Sequence, residues 1–164
     1  MRSGGSVRTV EEGSDLLDML RDAGYLSAVN VALIRRFVDR WGTTPLDAIL
    51  DSDVLAEERL ADAIAEAMKI ERIYAFDRDD VDTATLLMLP FKAAHDLEMV
   101  ILGRSDESGA LRVMMVDPSS GSRWRVFRAN IREPVKVCVA ERRLVRRSIQ
   151  ELYPVDAQLP GLFG

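Results

Sequence analysis

Apolar positions recur at helical spacing from Ser14 to Ile70. Leu16, Leu17, Met19 and Leu20 predict a short amphipathic helix, ended at Ala23-Gly24, where glycine accepts the left-handed cap. Ser27 caps a longer helix with Val31, Ile34, Phe37, Val38 and Trp41 on its apolar face, closed by Gly42. Thr44-Pro45 opens a third helix, carrying Leu46, Ile49 and Leu50. A fourth runs from Ala56 to Met68, with Leu60, Ile64, Ala67 and Met68 inward and Glu57, Glu58, Asp62 and Glu66 toward water. Residues 1–12 are small and polar and read as a leader.

These helices contain a repeat. Leu17–Leu26 aligns with Leu46–Leu55 at an offset of 29 residues, with leucine at the first and last places and aspartate at the second and sixth. A short helix, a turn and a longer helix therefore occur twice. Tyr25 and Val54 hold equivalent places at the two turns. With Leu50 they predict a small apolar dock rimmed by Asp22, Asp51 and Asp53, suited to a partner with an apolar anchor and basic flanks. The alternative is that Tyr25 packs over the repeat interface.

The pattern changes after Ile70. Ile73, Tyr74 and Phe76 form an apolar link. A helix begins at Asp80 or Asp82, carries Leu86, Leu87 and Leu89, and breaks at Pro90; Phe91 to Asp96 adds a helical turn or two. Glu98–Gly103 and Ala110–Val116 predict two antiparallel strands around a polar turn. Ser122–Asn130 predicts a helix with Trp124, Phe127 and Ile131 inward. Val135, Val137 and Val139 alternate with Lys136 and Cys138 as a third strand. Glu141–Tyr153 is a last helix burying Leu144, Val145, Ile149 and Leu152, and the segment after Pro154 reads as a tail or linker. The expected fold is α+β: an N-terminal four-helix subdomain (13–70) with an internal helix-turn-helix repeat, then a small mixed α/β subdomain (71–153) with a three-stranded sheet.

Composition narrows the chemistry. The chain has 164 residues and one cysteine, Cys138, so no internal disulfide framework or cysteine metal cluster is expected. No apolar run approaches the roughly 18 residues of a membrane span, and Met1 to Val10 lack the apolar core of a signal peptide. A soluble cytoplasmic chain is expected. The net charge of −5 is unevenly placed: residues 1–100 hold 20 acidic and 11 basic side chains, residues 101–164 hold 7 and 11. That balance does not suit a general nucleic-acid binder. It suits two halves that attract each other, or two kinds of partner.

No catalytic constellation is visible. His95 is the sole histidine and has no second ligand of its kind. Cys138 alternates within a strand and reads as a small apolar residue. There is no phosphate loop, so ATP hydrolysis by this chain alone is not expected. Asp77, Asp79, Asp80 and Asp82 lack the glycine and glutamate of a calcium loop and read as a solvated connector and helix cap. Arg142, Arg143, Arg146 and Arg147 stack in pairs one turn apart. They read either as a solvated helix face or as a site for an anionic partner.

Taken in order, several segments resemble the MshEN domain, the N-terminal domain of type II secretion and type IV pilus assembly ATPases, also found attached to some bacterial glycosyltransferases. The carriers are the doubled unit, Leu60-Ala-Asp-Ala-Ile-Ala-Glu66, Leu87-Met-Leu-Pro90, Gly109-Ala-Leu-Arg-Val-Met-Met-Val-Asp-Pro118 and Ile149-Gln-Glu-Leu-Tyr153. The resemblance covers about residues 14–153. It implies a non-catalytic interaction domain that docks an ATPase or transferase module to a membrane partner, such as an inner-membrane platform protein. The chain would then be cytoplasmic and peripheral to the inner membrane through that partner.

Some members of the family bind cyclic di-GMP through two motifs that begin Arg-Leu-Gly and end in Gln, which makes a divergent cyclic di-GMP receptor the alternative. Here the first motif's slots read Asp15-Leu16-Leu17 and Val38, and the second's read Thr44-Pro45-Leu46 and Ala67. Arginines and glutamines are missing from both, so no nucleotide-binding residue and no cofactor is carried over.

Overall fold

The computed structural model describes residues 16–159. The predicted leader, Asp15 and the last five residues of the tail lie outside the described residues.

The first four helices are α1 (Leu16–Asp22), α2 (Ala28–Trp41), α3 (Pro45–Asp51) and α4 (Glu57–Met68). Their caps are the residues the sequence offers. The Ser27 side chain accepts from Asn30 N at 3.1 Å, and Thr44 accepts from Asp47 N at 3.1 Å with Pro45 opening α3. The repeat is visible in the backbone. Gly24 after α1 and Asp53 after α3 both adopt positive φ, +85° and +53°, at positions one repeat apart. Val31 and Ile34 of α2 are buried, as are their equivalents Leu60 and Ala63 of α4.

The rest of the chain wraps helices around a sheet. Strands β1 (Glu71–Arg72), β2 (Met99–Arg104), β3 (Leu111–Met115) and β4 (Val135–Val139) lie in the order β1-β4-β3-β2. β2 and β3 pair antiparallel, while β4 runs parallel to both β3 and β1. The parallel pair β3–β4 needs a crossover, supplied by α7 (Gly121–Asn130). Helices α5 (Thr83–Leu86), α6 (Phe91–Leu97) and α8 (Arg142–Leu152) pack on β2, and α4 packs on β1 and β4. One continuous apolar core runs from Leu16 through Ile101, Val113 and Phe127 to Tyr153. Among the described residues no helix is long and apolar enough to cross a membrane.

The architecture is the expected α+β arrangement, with specific differences. The sheet has four strands, not three. Glu71–Arg72 joins as a two-residue edge strand, and a strand of two residues has no alternation to read. The helix expected from Asp80 or Asp82 to Leu89 is a 3₁₀ turn at Arg78–Asp80 followed by the four-residue α5, capped by Asp82; Leu87 points outward. A short helix, α9 (Val155–Gln158), follows Pro154 where a tail was expected. Glu98, read as the start of a strand, is instead the left-handed cap of α6, with φ +51°.

Glu98 is also buried, at 6% exposure. Its Oε1 accepts from Arg123 Nη1 and Nη2, both at 3.2 Å, and from Arg142 Nη2 at 3.1 Å. Its Oε2 accepts from Arg146 Nε at 3.2 Å and lies 2.8 Å from Arg142 Nε, close in charge but not aligned as a hydrogen bond. Arg142 also donates to Asp47 of α3 at 2.5 Å, and Arg123 donates to the Leu97 carbonyl at 2.6 Å. Burial alone would raise the Asp47 pKa, but hydrogen bonds from Arg142 and Thr44 outweigh it and hold the carboxyl below its ordinary value.

Non-glycine residues at positive φ cost on the order of 1 kcal/mol each. Asp53→Gly and Lys69→Gly, which relieve φ of +53° and +55° at helix ends, are each expected to raise the unfolding free energy by about 0.5–1 kcal/mol in urea titrations. Glu98→Gln leaves a buried arginine cluster without its carboxylate and is expected to cost about 3 kcal/mol, while truncating the largely exposed Arg146 costs under about 1 kcal/mol.

Asp117 gives a pH dependence of opposite sign to Asp47. Burial raises its pKa, against hydrogen bonds from Ser119 that lower it. A raised folded-state pKa means the group's contribution is complete below the ordinary carboxylate range and is lost as pH rises through the folded pKa. Asp117→Asn keeps an acceptor for Ser119 N, so the parent is expected to lose stability relative to this variant as pH rises, measured by thermal melts across pH.

Candidate functional site

The two repeat turns hold the six residues named from the sequence. Asp22, Asp51 and Asp53 are exposed, and Tyr25, Leu50 and Val54 are half-buried against the core. Asp22 pairs with Arg21 at 3.3 Å, whereas Asp51 and Asp53 have no ion-pair partner among the described residues. The Tyr25 hydroxyl donates to the Glu66 carboxylate near the C-terminus of α4, and that bond pushes the phenol pKa above its ordinary value. Leu50 instead lies beside Leu60 and Ala61 in the N-terminal half of α4, in a narrow cleft closed by Val116 and Ala140. Tyr25 and Leu50 therefore flank α4 at different ends.

The other candidate residues have structural employment. Arg142 is spent on Glu98 and Asp47, Arg146 on Glu98, Arg143 on Glu141 at 3.3 Å and Arg147 on Glu151 at 3.8 Å. Arg142 is thus buried in an ion cluster, while Arg143, Arg146 and Arg147 remain mostly exposed as a solvated helix face. Asp77 and Asp82 accept from the backbone N of Asp79 and Ala84, as turn and helix caps. His95 is exposed beside Asp96, with its Nδ1 3.3 Å from the carboxylate. Cys138 is buried, and burial together with the neighbouring Glu71 carboxylate pushes its thiol up to about 11. An open groove of about 390 Å³ runs beside β1, lined by Arg72, Tyr74, Phe76, Asp77 and Arg112. Arg72 stacks over Tyr74 at 4.2 Å and Arg112 pairs with Glu71 at 3.1 Å.

The most unusual surface lies on α2. Phe37 and Trp41, placed by the sequence on the same apolar face as Val31 and Ile34, are exposed at 37% and 65%. They continue a row that begins with Val29 and Leu33, exposed at 68% and 57%. The four are spaced by four residues, so they line one outer face of the helix. The inward face is formed by Val31, Ile34 and the partly buried Val38. The single apolar face divides in two because α2 is apolar around more than half its circumference, and helical periodicity does not say which part of so wide an arc meets the core. The signal that separates the two faces is the repeat: 29 residues on, the buried positions stay apolar, while Val29, Leu33 and Phe37 become Glu58, Asp62 and Glu66.

Comparison with known proteins places this geometry. The chain resembles the structure of MshE with cdg (cyclic di-GMP) at 20% identity, with a TM-score of 0.66, covering 85% of this chain and 99% of that one. It also resembles the N-terminal domain of XpsE at 16% identity, with a TM-score of 0.65, covering 85% of this chain and 94% of that one. No curated protein matches the chain. A sequence model of the MshEN domain matches residues 68–159, from the end of α4 through α9. The chain belongs to the MshEN domain family.

Proposed function

We propose that this chain is a non-catalytic regulatory and protein-interaction domain of a bacterial secretion, pilus or polysaccharide-export system. In this reading it docks an ATPase or transferase module to a membrane partner, an inner-membrane platform protein being the fitting kind, and works in the cytoplasm beside that membrane. The helical part (13–70) makes the contact and the α/β part (71–153) supports it. The observation that carries the reading is the exposed apolar row on α2, four large side chains that the core does not use. The half-buried turn residues Tyr25, Leu50 and Val54 and the exposed Asp22, Asp51 and Asp53 are a second proposed contact set, with Tyr25 and Leu50 toward different ends of α4.

A second reading is favoured by the likeness to MshE with cdg: a divergent cyclic di-GMP receptor. Against it stand the residues at the two motif slots. In the described part these are Leu16, Leu17 and Val38 for the first and Thr44, Pro45, Leu46 and Ala67 for the second, and none offers a guanidinium or amide fork.

Calorimetry is expected to show weak or no cyclic di-GMP binding; a dissociation constant near or below a micromolar promotes the second reading. Purified chain is expected to show no ATP turnover above a heat-killed control. Tyr25→Ala with Val54→Ser is expected to abolish capture of the cognate partner in a pull-down with only a small drop in the thermal melt, since both side chains are half-buried against the core. A large drop in melting temperature would show these residues to be core and remove them from the contact.

A further inference from the structure

We propose that the outer face of α2 is a docking ridge for an amphipathic helix whose apolar row is flanked by carboxylates. The inference deepens the interaction reading above and rests on it.

The ridge is not a by-product of the fold. α2 is fixed by Val31 and Ile34 on its inner face, by Ser27 at its start and by Gly42, with φ +64°, at its end. None of these contacts involves Val29, Leu33, Phe37 or Trp41. The chain also supplies its own control. α4 is the same element one repeat later, and its matching positions hold carboxylates: Glu58 is exposed, Asp62 pairs with Arg72, and Glu66 accepts from Tyr25. The same backbone slot is thus compatible with three carboxylates and holds three large apolar side chains in α2. A row spaced by four is the kind of ridge that packs into the groove of a crossing helix, at about −50°. The Phe37 and Trp41 rings, 6.3 Å apart, give it a wide aromatic end.

Charge selects the occupant. Arg36 and Arg40 stand one turn apart along the border of the row, and neither has an ion-pair partner among the described residues. The Arg40 guanidinium lies 5.4 Å from the Trp41 ring, held beside the row itself. Arg35, round the helix, pairs with Asp18 at 2.8 Å and is already spent. Asp39 falls on the far side of Arg36 from the row. A partner helix that lays leucine-type side chains along the row meets two unpaired guanidiniums on one border, which carboxylates on its own flank would satisfy.

The same charges disfavour other occupants. Residues 16–68 hold 10 acidic and 5 basic side chains, and three of the five basic ones are on α2. A flat anionic bilayer would engage the arginines only by approaching the acidic body around them. A second copy packed antiparallel would bring Arg36 against its own equivalent near the two-fold axis. Four side chains also fall well short of the roughly 800 Å² per partner that a stable dimer buries.

The test is selection from a phage-displayed helix library on the full chain. Apolar positions at helical spacing are held, and the flanking positions are randomised among Glu, Gln and Lys. Glu-flanked helices are expected to dominate on the parent. The best synthetic peptide is expected to bind at least ten-fold more weakly to Leu33→Ser/Phe37→Ser, with the thermal melt unchanged. Arg36→Glu/Arg40→Glu is expected to reverse the preference toward Lys-flanked helices. Absence of enrichment, Lys-flanked helices winning on the parent, or binding indifferent to both variants would overturn the proposal. So would self-association in sedimentation equilibrium that Leu33→Ser/Phe37→Ser abolishes, which assigns the ridge to a second copy. Co-sedimentation with phosphatidylserine vesicles, lost in the same variant, assigns it to a bilayer and equally overturns it. If cognate-partner capture is lost in Tyr25→Ala/Val54→Ser but indifferent to the α2 variants, the interaction reading stands and this inference alone falls.

Discussion

One buried carboxylate holds this molecule in register. Glu98 sits where α6 turns into β2, in a left-handed conformation that glutamate does not favour, and three arginines converge on it. Arg123 comes from the first turn of α7, and Arg142 and Arg146 from α8. Arg142 then passes the contact to Asp47 in α3. A single side chain thereby sets the relative placement of four helices. Isolated, such an ion would be too costly to bury; surrounded by guanidiniums that are themselves hydrogen-bonded, it becomes the point at which misplacing any one helix leaves charge unpaired.

The uneven charge of the sequence has its explanation in the same contacts. The acidic helices meet the basic C-terminal part where Asp47 pairs with Arg142 and where Glu57 accepts from the backbone N of Arg143; Arg72, from the first hundred residues, bridges Asp62 and Glu141. Of the dense arginine run of α8, which resembles an anion-binding stripe when read along the chain, Arg142 is consumed by this internal attraction. A cation's availability is a property of what folds against it. That information lies in residues as far apart as Asp47 and Arg142.

Local chemistry explains which parts of the fold were legible. Ser27, Thr44-Pro45, Gly24 and Gly42 announced helix ends because caps are satisfied within a few residues. The alternation of Val135, Val137 and Val139 announced β4. The 29-residue repeat was plain as a spacing of leucine and aspartate, and the structure gives it a shared backbone turn. What stayed hidden depends on distant partners. β1 is a strand only because Glu71 and Arg72 lie beside Cys138 and Val139. Glu98 looked like a strand residue because nothing nearby in sequence reveals its arginines. On α2 the apolar arc was visible, but its division into a core half and an outer half was not. Of the named dock, the sequence placed Tyr25 and Val54 at equivalent turns, yet it could not show that Tyr25 and Leu50 face different ends of α4.

The duplication has a consequence for how such a domain can change over generations. Both helix pairs bury the same positions, Val31 and Ile34 in one, Leu60 and Ala63 in the other, and these maintain the scaffold. The outward positions one repeat apart differ in chemistry: Val29, Leu33 and Phe37 stand outside the core, while Asp62 pairs with Arg72 and Glu66 with Tyr25. The residues that fix α2 in the core and those of its proposed docking face are therefore separate sets. Substitutions along the outer row of α2 can change the chemistry of that surface without touching the side chains that hold the helix in place.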